Sequence, residues 1–235
     1  MPRNVAALAT PPKAKTPEFR TLTVEEVRHL GRVAQGNRWA PVLMLALTTG
    51  LRQGELLGLK WGDVDRAEGV LQVRRQYERD GSFSAPKASS QRRLDLAPAE
   101  LRVLEIQRES QDRDRERFGE AYIEQDLIFA THQGRPLIHR NVFREFKRLL
   151  KKAALPPIRF HDLRHTNATL MLGLGVHPKV VQERLGHSQV SITLNIYSHV
   201  LPGLGREAIE QLGASLENEG GDGGLAGRTN EDELP

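Results

Sequence analysis

The sequence predicts an α+β protein, mainly helical, with a small three-stranded antiparallel sheet on one side. Three observations carry this reading. Apolar residues recur at helical spacing through most of the chain, as in "TVEEVRHL" and "HRNVFREFKRLLKKAAL". The period changes to two over one long stretch, "GVLQVRRQYERDGSFSAPKASSQRRLDL". Helix boundaries are marked by Thr23, Gly50, Pro98 and the pair Pro156–Pro157.

Taken in order, residues 1–20 are rich in Pro, Lys and Ala and read as a linker. In "TLTVEEVRHL", Thr23 with Glu26 three residues on makes a capping box, and Val27 and Leu30 begin an apolar stripe. The apolar run from Trp39 to Thr48 predicts a central helix, closed by Gly50, which tolerates positive φ. "RQGELLGLKW" predicts a short second helix. The alternating stretch is broken at "RDGS" and "PKASSQ", which divides it into strands. Pro98 opens a long helix that turns very polar in its second half. "DLIFAT" predicts a short strand, and a basic amphipathic helix ends before Pro156. Helices follow at 160–173, 177–185, 189–198 and roughly 203–217. Residues 218–235 are Gly-rich and acidic, and predict a disordered tail.

At 235 residues the chain can bury one good-sized core. No segment approaches the ~20 apolar residues that span a bilayer, and the start lacks a signal-peptide core. With zero cysteines, disulfides, thiolate zinc sites and cysteine nucleophiles are excluded. The composition predicts a cytoplasmic protein. Six acids against one arginine give Leu216–Pro235 a net −5, so the chain's +4 leaves +9 on the body. A basic body favours anionic partners, nucleic acid first, although a solvated basic surface would look the same.

Four stretches could carry chemistry. "TTGLRQGEL" places Arg52 just after a Gly turn between two helices. "SAPKASSQRRLDL" places Lys87 in a hairpin turn. "RFHDLRHTNATL" sets His161 and Arg164 on one helix face. "LGHSQVSITLNIYSHV" sets His187 at a Gly-marked junction and Tyr197 at the end of the next helix. Singly, each has a plain structural reading: a capping arginine, a solvated turn lysine, a cap histidine, a half-buried tyrosine. His161 and His165 at i, i+4 lack the glutamate and third ligand that a zinc site needs. Together the residues suit phosphoryl transfer. Two arginines can clamp a phosphodiester and offset the charge of a pentacoordinate transition state without a metal. A tyrosine nucleophile needs a base or a strongly positive site, and lysine or histidine can protonate the departing sugar oxygen.

With these motifs in view, the chain resembles the catalytic domain of tyrosine recombinases, the phage-integrase family. "TGLRQGEL" resembles its first-arginine box, "PKASSQRRLDL" its lysine hairpin and "FHDLRHTNAT" its His-x-x-Arg box. "LGHSQVSITLNIYSHV" is similar to its closing box. The resemblance implies a catalytic domain at 21–217 that cuts and rejoins DNA through a 3′-phosphotyrosine intermediate. It implies Tyr197 as nucleophile, Arg52, Arg164 and His187 on the phosphate, Lys87 as general acid and His161 as proton-transfer partner of Tyr197. Glu55 would hold the site in shape. It further implies no metal or other cofactor, double-stranded DNA as partner, a homotetramer on paired sites and residence at the nucleoid. The helix near 203–217 matches the segment that family members pack onto a neighbouring subunit, though it could equally cap its own core.

Asn167 and Gln189 stand where histidine and serine are frequent in the family, and neither position carries a catalytic role. The separate core-binding domain usual ahead of the catalytic one is expected to be absent, with only a linker before residue 21. Two alternatives stay open: a topoisomerase-like DNA-relaxing enzyme, or a non-catalytic DNA-binding integrase remnant.

Overall fold

The computed structural model describes residues 20–86, 91–189, 191, 193, 209 and 210. Seven helices and five short strands follow one another within them: α1 Val24–Ala34, α2 Ala40–Thr49, α3 Gln53–Leu57, β1 Val64–Asp65, β2 Val70–Val73, β3 Gln76–Tyr77, β4 Phe83–Ser84, β5 Arg92–Asp95, α4 Pro98–Phe118, α5 His139–Lys152, α6 Asp162–Gly173 and α7 Pro178–Leu185. No helix among the described residues is long and apolar enough to cross a membrane. The mainly helical architecture with small antiparallel sheets is the one the sequence predicts.

Helix α2 sits at the centre because it has no polar face to offer water: seven of its ten residues are buried. Helix α1 begins as its capping box requires. The Glu26 N–H donates to Thr23 Oγ1 at 3.2 Å, and the Thr23 N–H donates to Glu26 Oε2 at 2.9 Å. In α5, Val142, Phe146, Leu149 and Leu150 turn inward, while Arg140, Arg144, Lys147, Arg148, Lys151 and Lys152 face solvent. A smaller apolar cluster, Ala168, Leu172, Val181 and Leu185, joins α6 to α7.

The sheet differs from its expected form. Its three strands run in the order β1–β2–β5, all antiparallel, with Val70 opposite Asp95 and Val73 opposite Arg92. The first of them lies ahead of the alternating stretch. Strands β3 and β4 leave to form a separate ribbon. Just after the chain leaves the sheet at Val73, Arg75 pairs with the buried Asp63 carboxylate. "DLIFAT" is not a strand. It makes isolated bridges, Lys60 to Leu127 and Ala130 to Pro136. Its carbonyls are taken instead by side chains of α4: Gln107 donates to Ile128 and Gln111 to Leu127, both at 2.8 Å. Of the helix expected at 189–198, residues 189, 191 and 193 are described: Gln189 lies in a bend, and 191 and 193 are helical. Lys87, Tyr197, residues 1–19, most of 203–217 and the tail lie outside the described residues.

Gly50 ends α2 at φ 64°, its N–H donating to Ala46 at 3.0 Å. A Cβ there would stand 2.3 Å from Leu185 Cδ2 and 3.0 Å from Asn167 Oδ1. Gly50→Ala therefore combines a left-handed backbone with overpacking. It should lower stability by about 1–3 kcal/mol, read as a reduced urea midpoint with an unchanged slope.

Candidate active site

Two helix ends build the site. A helix leaves its last carbonyls without intrahelical partners, and the macrodipole makes that end negative. At the end of α2, side chains from α6 supply the missing donors. Asn167 Nδ2 donates to Leu47 at 2.9 Å and to Thr48 at 2.8 Å. Arg164 Nη1 donates to the Gly50 carbonyl at 2.7 Å. These bonds tie the Gly turn, and Arg52 just beyond it, to the helix that carries Arg164.

At the end of α7, guanidinium groups from other elements supply donors. Arg92 Nε donates to the Arg184 carbonyl at 2.7 Å, Arg164 Nη2 to Leu185 at 2.6 Å, and Arg52 Nη2 to Gly186 at 3.2 Å. Three arginines from three distant elements thus cap three successive carbonyls. Gly186 takes φ 66°, and a Cβ on it would lie 2.9 Å from Arg92 Nη1, so the close approach requires glycine. His187 follows directly.

Glu55 is the counter-charge, with no exposed surface. It accepts from the Arg52 N–H at 3.0 Å and Arg52 Nη1 at 2.8 Å, and from Arg92 Nη1 at 3.2 Å and Nη2 at 3.0 Å. Burial alone would raise its pKa. The Arg92 hydrogen bonds and charge, joined by Arg52, outweigh burial and hold it below the ordinary value. Three guanidiniums facing one carboxylate leave a surplus of positive charge. Arg164 registers this: burial first, then the charges of Arg52 and Arg92, bring its pKa down to about 9, and it remains protonated at neutral pH.

The histidines shift in the same direction, but from a lower starting value, and so lose their charge. His187 is buried, its Nδ1 lies 2.9 Å from Thr193 Oγ1, and its carbonyl accepts from Gln182 Nε2 at 3.1 Å. Burial, then Arg164 and Arg52, lower its pKa to about 3. A Thr193 hydroxyl donating to Nδ1 would place the single proton of the neutral ring on Nε2. His161 stands one residue before α6 on the wall of the groove. Its surface reaches solvent, but the ring is crowded, with the His165 ring edge-on at 5.0 Å. Partial burial, then His165 and Arg164, lower its pKa to about 4. Both imidazoles are neutral at pH 7, able to accept a proton or to donate one N–H.

Arg52 and His161 share an open groove of about 630 Å³ with Gln53, Gln76, Tyr77 and His139. A polyanion laid in it would meet the Arg52 guanidinium, whose side chain is 37% exposed, at its floor. Arg164 and Arg92 lie deeper.

The phage integrase family model matches residues 20–203. The chain belongs to the phage integrase family. A XerC-like tyrosine recombinase of Caldanaerobacter subterraneus subsp. tengcongensis is 33% identical over 226 residues, covering 89% of this chain and 58% of that protein. The crystal structure of XerA recombinase matches with TM-score 0.66 at 27% identity, covering 86% of this chain and 66% of that one. The Tn1549 transposon integrase, in complex with transposon right-end DNA, shares the fold with TM-score 0.73 at 24% identity, over 86% of this chain and 68% of that one. This integrase-family chain therefore spans about three-fifths of the length of its XerC-like relative.

Of the residues singled out in the sequence, Arg52, Glu55, His161, Arg164 and His187 gather around the α7 end and its groove. Two residues were missed as builders of the site. Arg92 was passed over as part of a hairpin box. Its alternation with buried Leu94 on β5 marks an inward-facing cation. Asn167, read as carrying no catalytic role, holds the turn before Arg52 through its two backbone bonds.

The depressed imidazoles set a pH dependence. Below the ordinary histidine pKa of 6.5, the unfolded chain binds protons that folded His161 and His187 refuse until about pH 4 and 3. Stability is thus fully present above 6.5 and is lost as pH falls below it. Urea unfolding between about pH 7.5 and about pH 5 should show this fall, and His187→Gln should flatten it.

Proposed function

We propose that this chain is the catalytic part of a site-specific DNA recombinase, an enzyme that breaks and rejoins strands by transesterification. The observation that carries the reading is the convergence of Arg52 and Arg164 on one helix end, beside two neutral imidazoles and a groove open to a duplex. The two guanidiniums would bind the non-bridging oxygens of the scissile phosphate and stabilise charge as it grows in the transition state. His187 would add an N–H to the same phosphate. Glu55 would keep Arg52 in place.

Tyr197 would attack phosphorus, forming the Oη–P bond as the P–O5′ bond breaks. His161, already neutral, would take the phenol proton, and Lys87 would deliver one to the departing 5′-oxygen. The 3′-phosphotyrosine conserves the phosphodiester energy, so a 5′-hydroxyl can reverse the step on a new partner strand. Double-stranded DNA would be the substrate and a homotetramer on paired sites the working assembly, with two tyrosines active at a time, in the cytoplasm at the nucleoid. DNA-bound relatives such as the Tn1549 integrase complex support this choice.

A suicide duplex nicked near the cleavage site should trap a covalent protein–DNA adduct, visible as a band shift under denaturing conditions. Tyr197→Phe should abolish it. Arg164→Ala should slow it by at least about 10²-fold, the scale of losing one oxyanion-stabilising donor. An adduct that persists in Tyr197→Phe would refute the nucleophile, and relaxation of arbitrary supercoiled plasmid would favour a topoisomerase-like enzyme.

A further inference from the structure

We infer that Arg92 is a positioning residue for strand cleavage, acting through Glu55 and the end of α7 and not on DNA. The inference rests on the recombinase reading above. The Arg92 side chain is only 7% exposed. It places one nitrogen on each oxygen of Glu55, at 3.2 and 3.0 Å, and its Nε on the Arg184 carbonyl at 2.7 Å. One side chain therefore joins the carboxylate that holds Arg52 to the turn that presents His187. Its own position is set by the sheet, since Arg92 lies opposite Val73 in the β2–β5 ladder.

Two effects follow from its removal. Glu55 would lose the partner that most lowers its pKa and would depend on Arg52, drawing that guanidinium inward from the groove. The Arg184 carbonyl would lose its donor, loosening the turn whose next two carbonyls are held by Arg164 and Arg52. Displacements of ~1 Å at a reacting centre cost on the order of 10²-fold in rate. Arg92 also stands five residues after Lys87 in the chain, so the strand that follows the proposed general acid is the strand anchored to the phosphate floor.

The test uses the full chain and the nicked suicide duplex, with single-turnover adduct formation at saturating DNA and DNA affinity measured separately. Arg92→Gln should slow adduct formation by roughly 10²-fold while affinity changes by less than about threefold, a loss confined to the transition state. The acid limb of its pH–rate profile should move to higher pH, because Glu55 would titrate there. Arg92→Lys, which keeps the charge but not the two-oxygen grip, should recover part of the rate. In a Glu55→Gln background, Arg92→Gln should cost much less than in the wild type, since the two act as one unit. A wild-type rate in Arg92→Gln, a loss confined to affinity, or equal costs in both backgrounds would each overturn the assignment. Should Arg92→Gln fail to fold, a wild-type rate in Arg92→Lys overturns it equally. Absence of any adduct with the wild-type chain would instead strike the recombinase reading.

Discussion

The site depends on one constraint: the carbonyl end of α7 must be satisfied, and guanidinium groups do it. A helix C-terminus facing water needs no help. This one is packed between α6 and the sheet, so its last carbonyls need buried donors. Arginine can supply several from one rigid fork. Because Arg52, Arg92 and Arg164 reach three consecutive carbonyls from separate elements, packing α7 also assembles the cationic floor.

That arrangement carries a cost. Three like charges crowd together with a single buried carboxylate between them. Burial first, and then the neighbouring positive charges, lower the pKa of Arg164 and keep His161 and His187 neutral. On the proposed reading, a phosphodiester would bring the negative charge that offsets this surplus. Glu55 limits the expense. Its burial is tolerable only because two arginines share it, which is why neither arginine is interchangeable with lysine.

Much of this was legible from residue patterns. The capping box at Thr23, the Gly50 terminus and the wholly apolar α2 follow from local chemistry, and they formed as expected. Arg52, His161, Arg164 and His187 could be named because they stand in motifs that resemble the family's boxes, and Glu55 by that resemblance alone. The strand expected at "DLIFAT" failed for a reason no local pattern contains: Gln107 and Gln111, roughly a helical turn apart on α4, take carbonyls that a strand neighbour would have used. Strands β3 and β4 form a ribbon apart from the sheet, and Arg75, just ahead of β3, pairs with Asp63.

The sequence by itself determined the elements, the basic character of the body and the identity of most of the groups that gather at the site, since each depends on neighbours within one or two helical turns. Only the tertiary structure decided that Arg92 belongs with them, that Asn167 holds the Arg52 turn, and that both histidines are neutral. Those properties depend on contacts between residues about 90 to 130 positions apart, such as Arg92 with Arg184 and Arg52 with Gly186. They depend also on burial, which sets the energy of a charge and exists only once the chain has folded.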